Sequence, residues 1–210
     1  MFSSQLYDSR LQLIQTPIPM FNCPTRRSPV VHPTASGGMI NCNPKDRPAR
    51  VTTPPATAMV HTSSLVPGHR ITRSAIDSYA WATLKQLDDR RINGVTFERS
   101  EIRLAQIKDG TSNTYLYGEK YVKGDYGTYD SADNENMYSG MNNDNIRTTQ
   151  VAPLQDRPGY SYGGGFGSAH AAGLNFVLCD GSVHFISYSI DLPTHQRLGN
   201  RHDGLPVELP

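Results

Sequence analysis

His170 and Asp180 are the first pair to weigh for chemistry, an imidazole and a carboxylate with nine residues between them. Leu174, Phe176 and Leu178 alternate with Asn175, Val177 and Cys179 in that interval, the period of two that marks a half-buried strand. An extended chain rises about 3.3 Å per residue, so residues 173–179 span about 20 Å. The two side chains are therefore expected at opposite ends of a strand, sharing neither a proton nor a metal. Asp180 is expected to shape a turn, and His170 to hydrogen-bond the backbone of the glycine-rich approach, residues 158–169. Ser112 and Ser168 would be the nucleophiles of a hydrolase. Neither lies in a Gly-x-Ser-x-Gly elbow, and no base stands at a telling spacing from either. Glu119 follows Gly118 on a second strand-like stretch. A buried carboxylate needs a partner, and Arg99 and Arg103 are close in sequence, so a structural ion pair is expected there rather than a general base. No catalytic set emerges, and the chain is not expected to be an enzyme.

Metal ligation has one candidate stretch. Asp130, Asp133, Glu135 and Asp144 crowd a long polar loop, residues 123–149, with Asn142 among them. Calcium takes such oxygens. The spacing lacks the Asp-x-Asp-x-Asp-Gly core of an EF-hand loop, so calcium stands against a plain solvated loop, and no other cofactor is expected. His32, His61 and His69 show no metal spacing and suit solvated loops. Cys23, Cys42 and Cys179 form no CxxC pair, which argues against a zinc ribbon. Cys23 and Cys42 sit in neighbouring Pro-rich segments; they would bridge in an exported chain or remain free thiols. Cys179 precedes the turn and is expected to pack as a small apolar residue.

The elements that must hold these residues are mostly strands. Asp180-Gly181 supplies the backbone of a two-residue type I′ turn, joining 173–179 to a return strand at 182–187. That turn sets Leu178 opposite Val183 and Phe176 opposite Phe185, with the larger hydrophobes on one face. Upstream, Val95 and Phe97 read as a short strand, and Ile102 to Ile107 as a turn or short helix. Asp109 is placed to cap a brief helical turn over Gly110-Thr111-Ser112-Asn113 by accepting the N–H of Thr111 or Ser112. Thr114 to Tyr121 then runs as a strand, with Gly118 at a bulge or close approach. Residues 1–92 form a Pro-rich, mostly irregular segment with short edge strands, and residues 93–210 the antiparallel core of the same domain.

Composition narrows the function classes. A net charge of +1 in 210 residues gives no electrostatic footprint for nucleic acid or an anionic membrane. No apolar run approaches membrane-spanning length and no export signal is visible. Gly 18 and Pro 15 favour turns and loops over long helices.

Several of these stretches carry a resemblance. His170, nine residues and Asp180-Gly181; Asp109-Gly110-Thr111-Ser112-Asn113-Thr114 followed by Gly118-Glu119; and Cys23-Pro24-Thr25-Arg26 together resemble a bacterial prepilin-related family of unknown function, numbered 1559. The likeness runs from Pro17 onward and is weakest over residues 28–92. It implies an α+β fold: the antiparallel sheet of a pilin-like globular head with long irregular loops. Against the family's pattern this chain begins part-way, so the cleavage site and long apolar N-terminal helix are expected to be missing from it. The implied role is non-enzymatic, a pseudopilin-like protein of the cell envelope or exterior. It would contact other pilin-like subunits or envelope proteins, and the membrane only through the missing helix. The alternative is an extracellular solute- or ligand-binding module. Calcium in a comparable loop of some pilin-like proteins bears on residues 125–145 by analogy.

Overall fold

Chain geometry around Gly181 sets the register of the sheet. The structure is a computed structural model describing residues 9, 12–13, 16–21, 23–26, 32–33, 52–53, 58–61, 92–97, 100–125, 132–133 and 144–209, with 20, 32–33, 52–53 and 58–61 as backbone alone. Its strands in chain order are β1 (His32–Pro33), β2 (Thr52–Thr53), β3 (Ala58–His61), β4 (Tyr115–Glu119), β5 (Ile146–Arg147), β6 (Leu154–Gln155), β7 (Gly167–Ser168), β8 (Gly173–Leu178) and β9 (Val183–Ser187). An α-helix, α1 (Leu192–Leu198), follows β9. The main sheet runs β5-β3-β4-β8-β9, antiparallel except for the β3–β5 pair. Two further small ladders are β1–β2 and β6–β7, and β7 packs against β4 and β8. This is the expected α+β class, with a short strand of the Pro-rich segment, β3, inside the sheet rather than at its edge.

The β8–β9 hairpin forms as expected, but in a different register. The Gly181 N–H donates to the Leu178 carbonyl at 3.0 Å, the Leu178 N–H to the Ser182 carbonyl at 2.9 Å, and Gly181 has φ +88°. That is a three-residue connection, a type I turn closed by a glycine in the left-handed region. The added loop residue slides the pairing by one position. Phe176 faces His184, Asn175 faces Phe185 and Leu174 faces Ile186. Phe176 and Phe185 thus lie on opposite faces, Phe176 fully buried and Phe185 half exposed, which overturns the predicted cross-strand pair.

A second irregularity turns β4 over within its own length. Tyr115 pairs with Leu178 but Tyr117 with Val177, so a bulge at Leu116 sends the two tyrosines to opposite faces. Tyr115 is buried and stacks on Phe176, ring centroids 3.9 Å apart. Gly118 returns to the inner face opposite Phe176, where an added Cβ would run into the Phe176 and Phe166 rings. It is the close-approach point of the strand, and the bulge lies just before it. Glu119 then falls on the outer face.

The inner face makes the core: Tyr115, Phe166, Leu174, Phe176, Leu178, Ile186, Ile190 and Leu198. Helix α1 covers it with Leu198 and with His195, whose ring lies 5.6 to 6.1 Å from those of Tyr115, Phe176 and Phe166. Asp191 caps that helix by accepting the Thr194 N–H at 2.9 Å. The helix was not anticipated, although an Asp cap followed by Pro193 in the first turn is a start signal.

Two further expectations need correction. Residues 92–97 form no strand. Ile92, Val95 and Phe97 are buried, but the Arg201 guanidinium takes the Ile92 and Gly94 carbonyls, each at 2.8 Å, and the Arg201 N–H takes that of Asn93. These carbonyls are spent on an arginine rather than on a ladder. Asp109, for its part, does not cap residues 111–113. Gly110 is the N-cap of that 3-10 turn, with no side-chain cap. The Asp109 carboxylate instead accepts the Asp203 and Gly204 N–H groups, each at 2.8 Å, and holds the C-terminal segment. Two converging backbone donors from a distant segment satisfy a carboxylate more fully than one local donor.

Candidate functional site

Three side chains from distant parts of the sequence meet at the end of β4, the middle strand of the main sheet. Glu119 comes from the end of β4, His170 from the turn between β7 and β8, and Cys23 from the short turn at Cys23–Arg26. The His170 Nε2 lies 3.7 Å from the Cys23 Sγ and 3.7 Å from the Glu119 Oε1. One ligating atom from each residue falls within 4.8 Å of the other two. The site is partly open: Glu119 is 15% exposed at its side chain and His170 31%. Among the described residues this is the sole group of His, Cys and carboxylate side chains close enough together to hold a metal ion.

Each member is positioned by its own support. Glu119 is on the outer face because the bulge at Leu116 turned the strand over. There its Oε2 accepts the Asn175 N–H at 2.7 Å and the Asn175 side-chain amide at 3.2 Å, and its Oε1 accepts the Ser168 hydroxyl at 3.1 Å. These bonds replace the expected ion pair: Arg103 is exposed, and Arg99 lies outside the described residues. The His170 N–H donates to the Ser168 Oγ at 3.4 Å, and the Tyr188 hydroxyl lies 2.9 and 3.1 Å from the Ser168 and His170 carbonyls.

Cys23 is held through Arg26. The Arg26 N–H closes a turn on the Cys23 carbonyl at 3.0 Å. Its buried guanidinium pairs with Asp156 at 2.7 Å and donates to the Lys120 and Gly167 carbonyls at 2.8 and 3.1 Å. Those carbonyls belong to the neighbours of Glu119 and Ser168, so one arginine locks the Cys-Pro turn against both strands that build the site. Pro24 fixes the turn's φ.

The other candidates are placed as follows. Asp180 sits in the hairpin turn, where its carboxylate accepts the Ser182 N–H at 2.9 Å and the Ser182 hydroxyl at 2.6 Å. Those bonds hold its carboxyl below the usual range. It shares no partner with His170, as the extended strand between them requires. The His170 ring, by contrast, meets Cys23 and Glu119 rather than the glycine-rich backbone. Cys42 lies outside the described residues, as do Asp130 and Glu135. The Asp133 carboxylate pairs with the buried Lys120 ammonium at 2.6 Å, and the Asp144 carbonyl faces the same group at 3.4 Å. Burial lowers the pKa of Lys120, with Asp133 opposing the shift. Ser168 is buried and spends its hydroxyl on Glu119; Ser112 is exposed in the 3-10 turn. His32 and His61 are described in backbone alone, in β1 and β3, and His69 lies outside the described residues.

Chemically the cluster is a donor set, not a catalytic triad. In a triad the base uses one ring nitrogen for the nucleophile and the other for its orienting carboxylate. Here thiol and carboxylate approach the same nitrogen. Nothing in the spacing of residues 23, 119 and 170 announced the grouping. The available signal was that each residue lies in one of the blocks that carried the family resemblance. No described helix is long and apolar enough to cross a membrane. No curated protein and no solved structure matches the chain. The model of one family, described as a protein of unknown function (DUF1559), matches residues 2–193; with nearly its whole length covered, the chain belongs to that family.

Proposed function

We propose that this chain is the globular head of a pseudopilin-like protein of the cell envelope, with a role in assembly and surface contact rather than catalysis. The observation that carries this reading is the outer face of the sheet. Tyr117, Val177 and Val183 form one cross-strand row there, with Phe185 beside it, and Tyr117, Val183 and Phe185 are 41%, 63% and 51% exposed. A sheet face that carries apolar side chains in a row suits packing against another surface better than it suits water. The prepilin-related pattern that the sequence resembles supports the reading; the family itself is described as one of unknown function. The partners are then other pilin-like subunits or envelope proteins. A net charge of +1 gives nucleic acid no electrostatic footprint.

An extracellular ligand-binding module is the second reading, favoured by the Cys23, Glu119 and His170 donor set. The gene upstream of Met1 separates the two. A Lys/Arg-rich leader, a prepilin cleavage site and an apolar run are expected. A plain signal peptide would overturn the pilin reading in favour of the binding module.

A further inference from the structure

We propose that Cys23, Glu119 and His170 bind a zinc ion, leaving one coordination position for water or an incoming ligand. The distances fit a shared ion better than direct bonding. An N–H···O bond has its heavy atoms about 2.7–3.2 Å apart, and 3.7 Å between the His170 Nε2 and the Glu119 Oε1 is too long for one. Zinc binds thiolate at about 2.3 Å and imidazole or carboxylate at about 2.0–2.1 Å. Tetrahedral placement then sets sulfur and nitrogen about 3.6 Å apart and nitrogen and oxygen about 3.4 Å apart. The observed separations, both 3.7 Å, lie within a few tenths of an ångström of those values.

The surroundings are those of a ligand set. Asn175 and Ser168 fix the Glu119 carboxylate through three hydrogen bonds. Such outer contacts orient metal ligands and raise affinity. The Ser168 hydroxyl also receives the His170 N–H, so one residue steadies two ligands. Donor chemistry selects the ion: calcium and magnesium take oxygens alone, whereas a mixed sulfur, nitrogen and oxygen set suits zinc. Three protein ligands on a partly open site leave the fourth position free. The zinc would also join residues 23 and 170 across the chain, so its binding would be coupled to folding. The proposal does not rest on the pilin reading, since a zinc site is compatible with either reading above.

The test uses the full chain, reduced and without an affinity tag, titrated with zinc chloride. Expected are one zinc per chain, a raised melting temperature, and a near-ultraviolet thiolate charge-transfer band when cobalt(II) replaces zinc. Cys23→Ser should remove that band, His170→Ala should weaken zinc more than about 100-fold, and Ser168→Ala about 10-fold. Glu119→Gln keeps the shape while removing the charge and should also weaken binding, which guards against a ligand variant that fails to fold. Absence of stoichiometric zinc, a cobalt complex of the unaltered chain without a thiolate band, or equal zinc retention by Cys23→Ser and His170→Ala would each overturn the proposal.

Discussion

Cys179 and Cys23 are both half-buried free thiols in very different settings. Cys23 faces an imidazole and a carboxylate. Cys179 tucks its sulfur toward the Tyr115 carbonyl, and burial, with Asp180 adding to it, pushes its thiol up to about 11. Between the ordinary thiol value of about 8.5 and about 11, the unfolded chain has released the Cys179 proton while the folded chain retains it. The unfolded state then binds fewer protons, so stability falls as pH rises through that window. Cys179→Ser is expected to remove part of this alkaline slope in urea unfolding, and native Cys179 to alkylate more slowly at pH 9 than the same residue in urea. Equal alkylation rates would contradict the protected thiol. Cys179, expected to pack as a small apolar residue, is only half buried and lies outside the core cluster. The partners of Asp109 and Glu119 were not legible in the sequence, because both carboxylates bond to segments distant in sequence: Asp203 and Gly204 for one, Ser168 and Asn175 for the other.

At the scale of elements, the hairpin shows what a pattern can and cannot specify. Alternating hydrophobes and Asp180-Gly181 announced two antiparallel strands, and two strands form. The register stayed open because Asp-Gly serves a two-residue turn and a three-residue turn alike. Val183, His184, Phe185 and Ile186 did not settle it, since apolar residues occupy both parities of β9. Burial of Ile186 decides it, turning Phe185 outward. The same limit explains residues 92–97, where a period of two over three residues reflects packing around Arg201 rather than a strand. Gly181, at φ +88°, is the residue that permits the observed turn. Gly181→Val should cost about 1–2 kcal/mol, because a β-branched residue resists that backbone. An unchanged urea midpoint would count against the turn.

At the scale of the molecule, the site exists only because the fold brings segments 147 residues apart into contact. Sequence spacing carries no record of such a meeting. Arg26 is the tie that secures it, with a guanidinium and an Asp156 carboxylate 0% and 2% exposed. Removing one partner of a buried pair strands the other charge at a cost of about 3–5 kcal/mol. Arg26→Met is therefore expected to lose about that much in urea unfolding and to weaken zinc binding by slackening Cys23. A variant as stable as the unaltered chain would show that Asp156 finds another partner. The most direct test of the site is anomalous diffraction at the zinc edge, on crystals of the full chain grown with equimolar zinc. One peak is predicted about 2.3 Å from the Cys23 Sγ and about 2.0–2.1 Å from the His170 Nε2 and a Glu119 oxygen. A peak on other residues, or none, would contradict it.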